Sequence, residues 1–149
     1  MGWFSKKKFP ALDALPAEDR WAVAQGENEG KPMIVRVNSS AKDYAGHPDL
    51  PIRLGLAVPL HAPRPDGLPN ESESEQLGDI EDRLFDALGK TGRVVLIITT
   101  SGMREFVTYV RSSDAAERIA QSVQTETSTH EVQHYAESDP KWELFGQFA

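Results

Sequence analysis

The pentapeptide His130-Glu131-Val132-Gln133-His134 matches the pattern H-E-x-x-H. On a helix, that spacing sets two imidazoles one turn apart, where they can grip one zinc ion while the glutamate acts as base toward a metal-bound water. The flanking residues argue against a helix. "TETST" precedes the motif and Pro140 follows it, and a proline removes one helical amide and clashes with the preceding turn. In an extended chain His130 and His134 share a face but stand roughly 13 Å apart, too far for one ion with bonds of about 2 Å. A third ligand is also missing, because Glu143 lies beyond the proline and Glu137 falls on a turn. The motif therefore reads as a chance match on an exposed strand. A metal-dependent hydrolase using His130, Glu131 and His134 stands as the alternative.

Other reactive side chains have equally plain readings. His47 and His61 sit in proline-rich loops and read as surface histidines. Ser101, in "TTSGMRE", belongs to a hairpin turn rather than to a nucleophile elbow. Asp79, Glu81 and Asp82 in "DIEDRL" read as a solvated helix face, and Arg104 and Glu105 are expected to pair with loop groups. The chain has no phosphate-binding glycine loop and no dinucleotide fingerprint. No catalytic, cofactor-binding or metal-ligating residue is assigned, and no cofactor is expected.

Composition narrows the partner classes. The 149 residues carry a net charge of -7, which repels nucleic-acid phosphate, so direct DNA binding is not expected. The absence of cysteine removes disulfides and thiolate chemistry together and suits a cytoplasmic location. No apolar run approaches the roughly 20 residues of a transmembrane helix. Residues 1–20 contain Trp3, Phe4 and Phe9 beside Lys6 to Lys8 but lack the apolar centre of a secretory signal. They are set apart as a flexible segment, and 21–149 as a single α+β domain.

Hydrophobic periodicity supplies the elements. "WAVAQ" and "MIVRVN" flank the turn-rich "GENEGKP" and predict a hairpin. "IRLGLAV" puts Ile52, Leu54, Leu56 and Val58 on one face of a third strand. After a proline-rich loop, Leu77, Ile80, Leu84 and Leu88 form a helical stripe, with Ser72 and Glu75 as a capping box and Gly89 as its stop. "RVVLIITT" and "MREFVTYVR" flank the tight turn Ser101-Gly102. Asp114 and Glu117 resemble the cap of a second helix bearing Ala116, Ile119, Ala120 and Val123. "HEVQHYAES" reads as a last edge strand. Asp139 then caps a short helix, with Pro140 as its first residue, that docks Trp142, Phe145 and Phe148.

Strand, helix, strand, strand, helix, strand after an initial hairpin is the order of a ferredoxin-like split βαβ sandwich, with both helices on one sheet face. The C-terminal aromatics would shield part of the other face. Whatever stays open would serve as a surface for a protein partner or a homodimer.

Taken together, "GKPMIVRVN", "PRPDGLPNESESEQLGDIEDRL", "TTSGMREFVTYV" and "SDPKWELF" resemble the bacterial Domain of Unknown Function 695 family. That family is similar to the bacterial regulator of ribonuclease activity B. The resemblance implies an α+β sandwich and protein-directed regulation, and it carries over no catalytic residue. The expected function is a non-catalytic protein-binding or regulatory module.

Overall fold

In the computed structural model, which describes residues 9–16 and 18–149, six strands form one antiparallel sheet. They are β1 (Trp21–Asn28), β2 (Lys31–Asn38), β3 (Ile52–Pro59), β4 (Gly92–Thr100), β5 (Met103–Val110) and β6 (Gln133–Ser138). Their order across the sheet is β1-β2-β4-β5-β3-β6, and every neighbouring pair runs antiparallel. Helix α1 (Glu71–Leu88) joins β3 to β4, α2 (Ser113–Glu126) follows β5, and α3 (Glu143–Phe148) follows β6.

The stripes that predicted the helices are the surfaces they bury. Leu77, Ile80, Leu84 and Leu88 of α1 and Ala116, Ile119, Ala120 and Val123 of α2 pack on Leu54, Leu56, Val58, Val94, Ile97, Phe106 and Val110. Each Leu, Ile, Val or Phe among them contributes about 1.5–3 kcal/mol by leaving water. Strand β4 serves both faces: a register shift between Val94 and Leu96 turns Val95 and Leu96 together into the second core, while Val94 and Ile97 remain in the first.

The second face departs from the expectation of an open surface. Trp142 and Phe145 of the C-terminal segment, Tyr44 and Leu50 of the β2–β3 connection, and Leu12 and Leu15 cover Val35, Val37, Val95, Leu96, Val107 and Tyr109. The β2–β3 connection reads as polar, yet Ser39–Tyr44 form a 3-10 helix that buries Ala41 and Tyr44. Leu12 and Leu15 belong to the stretch that sequence set apart from the domain. Trp3, Phe4 and Lys6 to Lys8 of the same stretch lie outside the described residues. Among the described residues, no helix is long and apolar enough to cross a membrane.

Several boundaries shift for local reasons. Asn70, not Ser72, caps α1: its side chain accepts the Glu73 amide at 2.8 Å. Ser112, not Asp114, caps α2 by accepting the Ala115 amide. Helix α3 begins at Glu143 rather than Pro140, because Trp142 takes a left-handed conformation (φ 56°) that reverses the chain after the proline. Strand β6 begins at Gln133, so His130 lies ahead of it in a bend.

Candidate functional site

The connection leaving β3 is built by backbone geometry before any side chain matters. Gly67 adopts φ +86°, and a Cβ there would stand 3.0 Å from the Ser101 backbone, so the proline-rich loop lies directly on the β4–β5 turn. Two amide bonds fix that seat: Gly102 N–H donates to Gly67 O at 2.9 Å, and Leu60 N–H donates to Gly102 O at 2.9 Å. The two segments most prominent in sequence, "HAPRPDGLPN" and "SGM", are therefore one structural unit.

Glu73, in the first turn of α1, is the hub beneath this loop. Its Oε2 accepts the His61 amide at 2.6 Å, and its Oε1 accepts the Ala62 amide at 3.2 Å. The His130 Nε2 lies 2.6 Å from the same Oε2, and both side chains are almost fully buried. Burial pushes the Glu73 carboxyl upward, but bonds from the His61 amide, the His130 ring and the Ala62 amide outweigh it and hold the carboxyl below its ordinary range. An ionised carboxylate only accepts, so His130 Nε2 carries the proton and donates. The other ring nitrogen, Nδ1, lies 3.0 Å from Thr129 Oγ1. Above His130 the exposed His61 ring is stacked, with 4.1 Å between centroids and 19° between planes.

Ligand-capable atoms of His61, Glu73 and His130 all lie within 4.8 Å of one another. Two imidazoles and one carboxylate suit zinc and related divalent ions. Of the sequence motif only His130 takes part. Glu131 is exposed, and His134 turns to α2, where Nδ1 receives the Gln124 side-chain amide at 3.1 Å and Nε2 lies 3.2 Å from Glu117. His130 is buried, contrary to the expected exposed strand, because its bend drops the ring beside α1. His61 is exposed as expected, whereas His47 is buried: Nδ1 accepts the Asp49 amide and Nε2 donates to Pro10 O at 2.8 Å.

The remaining candidates are structural. Asp79 and Asp82 are exposed, while Glu81 forms a paired contact with Arg36, whose guanidinium also lies over Trp21. Arg104 donates to Thr99 on β4, and Glu105 accepts the Tyr135 hydroxyl from β6 side, so both pair across the sheet rather than with loop groups. Ser101 occupies the turn, exposed.

A second polar hub anchors the C-terminus. Asp139 accepts the Tyr109 hydroxyl at 2.7 Å, Arg53 at 2.8 Å, and the Glu143 and Leu144 amides at 2.8 and 3.3 Å. Burial pushes the Asp139 carboxyl upward, but the Glu143 amide, the Tyr109 hydroxyl, the Leu144 amide and Arg53 together hold it below the ordinary carboxylate value. The same bond, added to burial, pushes the Tyr109 hydroxyl well up. Trp142 completes the anchor by donating from Nε1 to Leu50 O at 2.9 Å.

Sequence reasoning missed Glu73, to which it gave no role. The available signal was an Asn cap followed three residues later by a glutamate. No sequence spacing links positions 61, 73 and 130.

No curated protein and no solved structure matches this chain. The model of the family of unknown function DUF695 matches residues 19–149, and the chain belongs to that family.

Proposed function

We propose that this protein is a cytoplasmic protein-binding module that recognises an extended segment of another polypeptide by adding it as a strand to the free edge of β1. The observation that carries this reading is the edge itself. Among the described residues β1 borders the sheet, seven of its eight residues are exposed, and it pairs with β2 without a register shift over its whole length. Edge strands are ordinarily blunted by proline, lysine, a bulge or a covering segment. Trp21–Asn28 contains neither proline nor lysine.

The turn fixes which backbone groups are on offer. Glu29 and Gly30 have φ of 53° and 79°, the signature of a two-residue type I′ hairpin closed by Asn28 and Lys31. The closing pair exchanges hydrogen bonds, and alternation from it turns the amides of Glu27, Gln25 and Val23 outward. Val23, 65% exposed, adds an apolar contact on that edge. Main-chain bonds would supply affinity, and side-chain alternation specificity.

The strand order β4-β5-β3-β6, with α1 and α2 packed on one face, supports a ferredoxin-like reading of 52–138 to which the β1–β2 hairpin is added. The resemblance to the regulator of ribonuclease activity B points likewise to a protein as the bound partner.

Selection from a displayed library of random peptides tests the proposal. Binders enriched on the wild-type chain are expected to lose affinity at least tenfold on Gln25→Pro, which removes one outward amide from an edge where proline is tolerated. Retained affinity on that variant would overturn the reading. A concentration-dependent dimer abolished by the same substitution would identify a second copy as the strand donor.

A further inference from the structure

We propose that His61, Glu73 and His130 form a binding site for one divalent transition-metal ion of the zinc type. The site shares no residue with the β1 edge and does not use the H-E-x-x-H spacing. The three groups come from the exit of β3, the first turn of α1 and the bend before β6, so only the folded chain assembles them.

The Glu73–His130 contact alone would serve as a structural tie between a helix and a loop. Two further features exceed that role. His61 already gives its amide to Glu73, yet its exposed ring is laid over His130, bringing a third ligand atom within 4.8 Å of the other two. The outer partners of a metal site are also present. With Nε2 on the ion, the His130 Nδ1–H donates to Thr129 Oγ1, and the Ala62 amide holds the second Glu73 oxygen. Such bonds fix the ring's tautomer and the carboxylate's orientation.

Binding replaces the proton shared by His130 and Glu73. Through solvent, the single ring proton of His130 moves from Nε2 to Nδ1, the freed Nε2 lone pair takes the ion, and the 2.6 Å separation opens to the roughly 3 Å required between two ligands of a tetrahedral ion. His61, being exposed, tilts off the stack to aim its nitrogen without disturbing the core. Water fills the fourth position on the His61 side.

Zinc titration by calorimetry of the untagged, metal-stripped full chain tests this, with cobalt absorption as a second readout. The expected result is one ion per chain, a raised thermal midpoint and a tetrahedral cobalt spectrum. His61→Ala, which leaves the core intact, is expected to weaken binding at least tenfold, and His134→Ala to leave it unchanged. No stoichiometric binding, binding indifferent to His61→Ala, or binding lost in the folded His134→Ala variant would each overturn the proposal.

Discussion

The Trp142 indole lies flat on the Tyr109 ring, with 4.2 Å between centroids and 6° between planes. Tyr44 and Phe145 meet the same indole edge-on, at 5.9 and 5.8 Å, so one residue near the C-terminus closes the second core. Trp142→Ala is expected to lower stability by about 3–5 kcal/mol in urea denaturation. Phe148→Ala, at a half-buried position, is expected to cost about 1 kcal/mol. Equal losses would show that the segment is not anchored through Trp142.

Gly55 on β3 pairs with Tyr135 on β6, and the Tyr135 ring lies where a Cβ at position 55 would be. Gly55→Val is therefore expected to destabilise by about 1–3 kcal/mol through overpacking. Adding Tyr135→Ala should relieve part of that loss, and the cycle of single and double variants measures the coupling. Strict additivity would contradict the contact.

Acid sensitivity follows from the two carboxylate hubs. Glu73 and Asp139 are both held below their ordinary values of 4.5 and 3.8 in the folded chain. The unfolded chain thus takes up protons first as pH falls. The stabilisation is fully present above the unfolded values and is lost as pH drops through the folded ones. Urea midpoints should be level from pH 7 to about 5 and decline below that. Glu73→Gln should start lower at pH 7 and decline less steeply. An unchanged slope in that variant would remove Glu73 from the account.

Proline scanning distinguishes the edge from the interior of the sheet. Gln25→Pro is expected to leave the thermal midpoint close to wild type. Val35→Pro is expected to unfold the chain, because β2 is paired on both sides and Val35 is 3% exposed. Similar midpoints for the two would mean that β1 is not an edge in solution.

Period-2 and period-3.6 patterns made the strands and both long helices legible, since the side chains that repeat are the ones that pack. Leu77, Ile80, Leu84 and Leu88 needed nothing beyond their spacing. The caps were less legible: Asn70 and Ser112 compete with Ser72 and Asp114 nearby, and only loop geometry decides between them. The covering of the second face was half visible, in Trp142 and Phe145, while Tyr44 and Leu50 were hidden in a stretch whose composition is polar. The His61, Glu73 and His130 cluster was not legible, because contacts 12 and 57 residues apart in sequence leave no periodic trace.

Residue-resolved amide hydrogen exchange tests the central claim most directly. In the free chain, the amides of Val23, Gln25 and Glu27 should exchange fast while those of Ala22, Ala24 and Gly26, bonded to β2, are protected. With a selected peptide bound, Val23, Gln25 and Glu27 should become protected. Protection that appears elsewhere on the molecule, with these three amides unchanged, would contradict strand addition at β1.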